Sequence, residues 1–251
     1  MPFDLAPQRS ESTTARPNCA LCPASQQCMI GGLCDAAVAQ WNALVQSHVS
    51  LAEAGRTLFA AHDAANAIYV VRAGCVKSVT IDDEGNERVR GFHLPGDLVG
   101  LDALGAERYP ASAVAVVPSQ VCRVPKALVM QKLTESPALA QRLLQRMSCD
   151  LAQAQALAGD YNADQRVAAF LLDMNARLHP LPGTPARLPM SRGDIANHLR
   201  LATETVCRVL TRFSTKGLIQ SDDRKIRLLK TAPLAMLAEP VGLLSAARLA
   251  A

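Results

Sequence analysis

Hydrophobic and polar residues follow two different periods along this chain of 251 residues. Between residues 56 and 124, short runs rich in valine and isoleucine alternate with turn-forming residues, as is typical of β-strands. The strand candidates are residues 67–72, 75–81, 87–93 and 111–117. Turns are predicted between them at Ala73-Gly74 and Pro118-Ser119, among others. Many short, evenly spaced strands predict an antiparallel barrel or roll, and a short helix over residues 35–47 precedes them.

A helical period begins near residue 137. Residues 138–158 contain neither glycine nor proline, so a helix of about 25 residues is predicted over 137–162. A narrow stripe with spacings of 3, 4, 3 and 4 runs along it, formed by Leu144, Met147, Leu151, Ala154 and Ala158. An a/d stripe of this kind predicts self-association through a coiled coil. The alternative is a helix that packs on its own domain.

Two short helices joined by a tight turn are predicted further along the chain. Ser191 and Asp194 resemble a capping box that opens a helix ending at Leu199. A second helix follows over residues 203–216. Such a pair, separated by a turn of a few residues, is a helix-turn-helix candidate.

Other predicted elements flank this pair. A helix over residues 163–178 precedes it and ends before the proline-rich residues 179–183. Residues 217–222 and 224–229 follow it and predict a small hairpin. A hairpin in this position is typical of the wing of a winged helix.

One face of the second helix carries side chains that suit DNA. Glu204, Cys207 and Arg208 are three and four residues apart and therefore share a face. In a major groove, arginine can donate two hydrogen bonds to guanine, and glutamate can accept one from cytosine. The alternative is an ordinary ion pair on a solvated helix.

The charge of the chain is unevenly distributed. Its 26 Lys and Arg residues barely outnumber its 22 Asp and Glu residues, but residues 163–230 hold twelve of the former and six of the latter. A basic C-terminal third favours a polyanion as partner. No secretory signal and no apolar run of membrane-spanning length is visible, so a cytoplasmic protein without membrane contact is expected.

Three thiols lie within ten residues on a loop-like segment, at Cys19, Cys22 and Cys28. Disulfides are rare in the cytoplasm, so clustered cysteines indicate metal or redox chemistry. Thiolates suit iron-sulfur clusters, zinc or copper(I), and such sites need a fourth ligand. The candidates for that ligand are Cys34, Cys75 and Cys122.

Other uses of these thiols stay open. Cys34 could replace Cys122 and close a zinc site within the N-terminal segment. Alternatively, Cys19 and Cys22 could form a reversible disulfide that switches the protein. A Cys-x-x-Cys oxidoreductase is a remote alternative, because no thioredoxin-like βαβ unit surrounds Cys19. No catalytic triad, phosphate-binding loop or paired-carboxylate cleft is visible, so no enzyme is expected.

Four motifs occur in a recognisable order. They are the N-terminal cysteine spacing with Cys122 in residues 121–125, residues 92–100, residues 192–195, and Glu204-Thr205-Val206 with Arg208. Together they resemble the FNR branch of the CRP/FNR transcription regulators. The similarity extends from about Cys19 to Lys230 without a large gap.

This resemblance implies an α+β protein with a cyclic-nucleotide-binding-like β-roll, a long dimerisation helix and a C-terminal winged helix-turn-helix. The implied boundaries are 1–35 for a cluster-binding segment, 36–133 for the roll, 134–162 for the dimerisation helix, 163–231 for the DNA-binding domain and 232–251 for a tail. The resemblance also implies that an oxygen-labile 4Fe-4S cluster is bound by Cys19, Cys22, Cys28 and Cys122.

The resemblance implies partners as well. A homodimer with an intact cluster would bind a palindromic DNA site under anaerobic conditions and regulate transcription. The stripe on the long helix would form the dimer interface, and residues 82–87 resemble a surface that contacts RNA polymerase. The side chains that would contact DNA are Arg192, Thr203, Glu204, Thr205, Cys207 and Arg208.

Several positions depart from the family pattern. Ala111-Ser112 and Leu101 replace the Arg-Ser pair and the Glu of nucleotide-binding relatives, so no cyclic nucleotide is expected as ligand. Arg200 replaces a usual glycine, which would cost about 1 kcal/mol if φ is positive there. Cys207 replaces a serine, and a thiol is a weaker hydrogen-bond donor.

Other departures concern the input and the dimer. Pro23 and Gln27 lie beside cluster ligands, where the surroundings control the access of oxygen. Ala154 replaces a carboxylate that opposes association in oxygen-sensing relatives. The apoprotein is therefore expected to dimerise more readily than those relatives do.

Overall fold

The chain divides into two units, Met1–Ala140 and Gln141–Ala251. Long antiparallel strands form the first unit. The structure is a computed structural model that describes residues 12–13, 18–178, 185–222 and 224–241. Both helices and strands occur, which confirms the predicted α+β class.

The strands β4 and β7 form the centre of the first unit. Its strands are β1 (Ser12–Thr13), β2 (Ser47–Leu51), β3 (Thr57–Phe59), β4 (Ala67–Ile81), β5 (Glu87–His93), β6 (Leu98–Val99) and β7 (Ser112–Pro125). They pair antiparallel in the order β1-β2-β7-β4-β5, with β3 on β7 and β6 on β4. Aliphatic side chains and three stacked rings fill the interior, where the ring centroid of Phe59 lies 3.7 Å from that of Tyr109 and 5.7 Å from that of Tyr69.

The turn predicted at Ala73-Gly74 is wrong, because β4 continues through it. Gly74 has a φ of 88°, and a Cβ atom there would lie 2.3 Å from Oγ of Ser119. That hydroxyl accepts a hydrogen bond from the amide of Cys75 at 3.0 Å. The register between β4 and β7 shifts on both sides of this point, so the glycine marks a β-bulge. The turn predicted at Pro118-Ser119 is also wrong, because β7 includes both residues.

Two helices complete the first unit. The helix predicted over residues 35–47 is α1 (Asp35–Leu44), and it ends earlier because the chain continues as β2, which pairs with β7. Helix α2 (Lys126–Glu135) follows β7 directly and was not predicted. Its only buried residue is Val129, so the sequence offers little of the apolar periodicity that reveals a helix.

The second unit is mostly helical. Its elements are the greater part of α3 (Pro137–Ala158), then α4 (Ala163–Leu178), β8 (Ala186–Arg187), α5 (Arg192–Leu199), α6 (Thr203–Thr215), β9 (Ile219–Asp222), β10 (Lys225–Leu228) and α7 (Thr231–Ala238). The helix predicted over 137–162 ends earlier, at Ala158, because Gly159 follows. The predicted hairpin is present as β9 and β10, with β8 as a third strand. The proline-rich residues 179–183 lie outside the described ranges.

The apolar face of α6 holds this unit together. Val206, Val209, Leu210 and Phe213 are all buried, as the amphipathic pattern predicts. Helix α7 packs against α4, and a short 3-10 helix, Glu239–Val241, follows it. None of the helices in the described part of the chain is both long and apolar enough to cross a membrane.

Candidate DNA-binding surface and cysteine site

The N-terminal cysteine segment is attached to the first unit by specific contacts. Cys19 opens a short 3-10 helix, and its amide donates to Oδ1 of Asn42 in α1 at 2.8 Å. Gln27 lies directly against Gly96, where a Cβ atom would come within 2.5 Å of the Gln27 main chain. These contacts hold the cysteine segment beside the turn between β5 and β6.

Cys122 lies on the outer face of β7. The neighbouring Val121 points into the core and is fully buried, so Cys122 points the opposite way. It is nevertheless only 8% exposed. Burial, together with the charge that neighbouring thiols develop, raises the pKa of Cys122 to about 12. Those neighbouring thiols belong to Cys19, Cys28 and Cys22.

The remaining thiols of this group affect one another in the same way. Burial raises the pKa of Cys28 to about 12, with Cys19 and Cys22 contributing. Burial also raises the pKa of Cys19, and Cys22 adds to the effect. The structure therefore brings Cys19, Cys22 and Cys28 close enough to Cys122 for their charges to interact, with Cys19 and Cys122 buried and the other two half-buried.

The other candidates for a fourth ligand lie elsewhere. Cys75 is completely buried in the core of the roll, and Cys34 is exposed at the start of α1. No disulfide joins any cysteine in the described ranges, which include all eight. Across those same ranges, no three His, Cys, Asp or Glu side chains are arranged to hold a metal ion.

A cation that sequence reasoning missed stands beside this group. Nη1 of Arg72 donates to Nδ1 of His48 at 2.9 Å, and His48 pairs directly with Cys122 across β2 and β7. The positive charge of Arg72 lowers the pKa of Cys19 and of Cys122, which opposes the larger effect of burial. An arginine in a strand carries no sequence signal for such a position.

The helix-turn-helix begins with the predicted capping box. Oγ of Ser191 accepts from the amide of Asp194 at 3.0 Å, and Oδ2 of Asp194 accepts from the amide of Ser191 at 3.3 Å. Helix α5 ends at Arg200, whose φ of 56° places it in the left-handed region. Residue 200, where the family usually has a glycine, therefore has the positive φ that such a glycine suggests.

The structure places the predicted DNA-contacting residues of α6 at its outer surface. Thr203, Glu204, Cys207 and Arg208 are exposed, and Thr205 is half-buried. Nη2 of Arg208 donates to Oγ1 of Thr205 at 3.3 Å. These side chains can therefore reach a groove while the apolar face of α6 packs inward.

Arg192 has a different environment from the other predicted contacts. It is half-buried at the start of α5, and its Nη2 donates to Oγ of Ser221 in β9 at 3.0 Å. The side chain therefore joins the first helix of the pair to the wing. On the other side of the unit, Arg212 of α6 forms an ion pair with Asp164 of α4.

A second arginine that sequence reasoning missed connects three segments. The guanidinium of Arg166 donates to the carbonyls of Gly159 after α3 and of Leu199 at the end of α5, both at 3.0 Å. It also donates to the carbonyl of Tyr161 at 2.8 Å. A cation at the ends of two helices is favoured by their dipoles.

The predicted stripe on α3 is open to solvent in the single chain. Leu144, Met147 and Leu151 are 64%, 42% and 60% exposed. Ala154 and Ala158 are also exposed. The stripe therefore does not pack on its own unit.

A sheet-rich roll followed by a winged helix-turn-helix is the architecture of a DNA-binding transcription regulator. The model of the cyclic nucleotide-binding domain matches residues 51–136, and that of the Crp-like helix-turn-helix domain matches residues 165–237. The chain belongs to the CRP/FNR family of transcription regulators.

Individual relatives agree with this assignment. The fumarate and nitrate reduction regulatory protein of Escherichia coli is 34% identical over 92% of this chain and 94% of its own length. The transcriptional activator protein FnrA of Stutzerimonas stutzeri is 36% identical over 73% of this chain and 78% of its own length. Among solved structures, FixK2 from Bradyrhizobium japonicum matches with a TM-score of 0.69 at 29% identity, over 76% of this chain and 96% of that one.

Proposed function

We propose that this regulator responds to oxygen through a 4Fe-4S cluster held by Cys19, Cys22, Cys28 and Cys122. The observation that carries the proposal is the approach of the N-terminal thiols to Cys122, which lies far along the chain on β7. Four thiols close enough for their charges to interact have no evident structural purpose. The similarity to regulators named for fumarate and nitrate reduction supports the same sensor.

The donor set suits a cluster better than a single ion. A zinc site holds its sulfur ligands about 2.3 Å from one central atom. A 4Fe-4S cluster places several atoms between its four thiolates and therefore keeps them further apart. Four cysteine thiolates are the usual ligand set of such a cluster, and the similarity to regulators named for fumarate and nitrate reduction favours it over the zinc alternative.

The chain itself supplies attachment and shielding. Cys122 anchors the N-terminal segment to β7, and β7 leads directly into α2 at Lys126. Asn42 and Gly96 position the rest of the segment, so that ligation is coupled to the folding of the first unit. When bound, the cluster supplies a centre that oxygen can destroy.

The output is binding of a palindromic DNA site by a homodimer. The exposed stripe of α3 is the dimer interface, because a second copy would cover apolar side chains that the single chain leaves in water. Two α6 helices would then read two half-sites about one helical turn apart. Like the related regulator of Escherichia coli, the protein would act in the cytoplasm.

The contact with RNA polymerase is assigned to residues 82–87. This turn between β4 and β5 presents charged side chains to solvent, and Oδ1 of Asp82 accepts from the amide of Asn86 at 2.8 Å. Hydrogen bonds from Asn86 lower the pKa of Asp82. The turn is therefore an ordered, negatively charged surface.

A cyclic nucleotide is not the input in this proposal. Oγ of Ser112 already accepts a hydrogen bond from the amide of Ala61 at 2.8 Å. Ala111, where an arginine would bind phosphate, is a buried alanine. The stacked rings of Phe59 and Tyr109 occupy the interior of the roll.

An optical spectrum of anaerobically purified protein tests the sensor. A brown protein with about 4 iron and 4 sulfide per chain that bleaches in air is expected. Binding to a labelled palindromic duplex should be strong before exposure to air and weaker afterwards. A colourless protein, reconstituted or not, would contradict the cluster and move the input to zinc or a thiol switch.

Matched variants test the fourth ligand. Cys122→Ala should abolish cluster assembly, and Cys34→Ala should leave the iron and sulfide content unchanged, because Cys34 is exposed and lies outside the group. The reverse result would exchange the two assignments.

A further inference from the structure

Arg72 occupies an unusual position in the sheet. The register of β4 against β7 shifts between Val71 and Ala73, so Arg72 is the extra residue of a β-bulge. Bulges free a side chain from strict alternation and can aim it at a site. Here the guanidinium reaches Nδ1 of His48 at 2.9 Å. Since His48 pairs directly with Cys122, the guanidinium lies on the outer face that carries the cysteine group.

The charge of Arg72 has no anionic partner in the described part of the chain. Its hydrogen bond there goes to Nδ1 of His48, which must accept because a guanidinium can only donate, so the imidazole is neutral. Arginine remains charged at any physiological pH. A half-buried charge without a counter-ion is costly, which makes it informative about what the site is built to hold.

The cysteine thiolates themselves can supply the negative charge that would balance Arg72. Four cysteines bring up to four negative charges when they act as ligands, and the iron-sulfide core of a cluster carries too little net positive charge to neutralise all of them. Arg72 already acts electrostatically on two of them, Cys19 and Cys122. Among the described residues, Arg72 is the one arginine or lysine whose charge lowers the pKa of these two thiols.

We propose that Arg72 is the counter-cation of the cysteine site and slows the loss of the 4Fe-4S cluster by offsetting the charge of its thiolate ligands. The inference rests on the proposed function. It assigns to the bulge in β4 a specific purpose, which is to direct one fixed positive charge at the ligand set from the side of β2.

The test compares Arg72→Gln and Arg72→Lys with the wild type. The matched control is Arg90→Gln, which removes an exposed arginine from β5 of the same sheet. Each protein is reconstituted anaerobically, and its iron and sulfide are assayed. Loss of iron to a chelator is then followed without oxygen. One unit charge roughly 8–12 Å from the thiolates, at an effective dielectric constant near 20, should change that rate by roughly tenfold to thirtyfold.

We expect faster iron loss for Arg72→Gln, near wild-type loss for Arg72→Lys, and no change for Arg90→Gln. Added salt should narrow the difference, because the effect is electrostatic. Equal rates for wild type and Arg72→Gln would overturn the inference, as would an Arg72→Lys rate equal to that of Arg72→Gln. A wild type that never acquires a cluster would instead refute the proposed function.

Discussion

Leu151 lies in the middle of the exposed stripe on α3, so its truncation tests the dimer directly. In the single chain, 60% of the residue is exposed. Full burial of a leucine side chain is worth about 1.5–3 kcal/mol, so covering the exposed part is worth about 1–2 kcal/mol. A two-fold dimer buries two copies, and Leu151→Ala should therefore weaken it by about 2–4 kcal/mol. At 1.4 kcal/mol per tenfold, the dimer Kd should rise about 30-fold to 1,000-fold.

Sedimentation equilibrium over a range of protein concentrations measures this Kd. Gln145→Ala is the matched control, because Gln145 is exposed on the same helix but lies outside the stripe. Its Kd should stay within a factor of two of the wild type. The reasoning fails if Leu151→Ala has an unchanged Kd. If both variants weaken the dimer equally, the cause is the stability of the helix and not the stripe.

Three further predictions follow from other positions. Ala154→Glu places like charges opposite each other across the dimer, so sedimentation should show more monomeric apoprotein than in the wild type. A wild-type apoprotein that is already a clean monomer at micromolar concentration would contradict ready dimerisation. Arg200→Gly should stabilise the protein by about 1 kcal/mol, because its φ of 56° strains any residue with a side chain; a lower Tm would show that the strain is offset elsewhere. Burial raises the pKa of Tyr109 above its ordinary value. Above about pH 10 the unfolded chain therefore releases this proton first and stability falls, and Tyr109→Phe should remove that part of the alkaline loss in urea titrations.

Helices α4, α5 and α6 of the DNA-binding unit could be predicted almost residue by residue, whereas α7 was not predicted. Each of α4 and α6 has a complete buried stripe, and α5 starts with a capping box that is visible in the sequence at Ser191. These signals are local, so a single sequence contains them. The strands were harder, because Gly74 signals a turn and a bulge equally well. Only its contact with Ser119, on a strand far along the chain, decides between them.

The site was predictable where a motif exists and hidden where it does not. Spacing alone could not separate Cys122 from Cys34 or Cys75, and the resemblance to a family made the choice. Arg72 and Arg166 have no local signature, because their partners are a distant histidine and main-chain carbonyls. Every residue has a main-chain carbonyl, so any residue type can accept these hydrogen bonds. The sequence of a single chain therefore does not reveal them.

The three hydrogen bonds of Arg166 have a consequence for the DNA that the dimer accepts. They fix the end of α5 to the end of α3 through the carbonyls of Leu199 and Gly159. When two α3 helices pair, each recognition helix is held at a set offset from their common axis. One added base pair between half-sites turns them by about 34° relative to each other. The proposed dimer should therefore discriminate the spacing of its half-sites as well as their bases. Arg166→Met should bind duplexes with the original spacing and with one added base pair almost equally well.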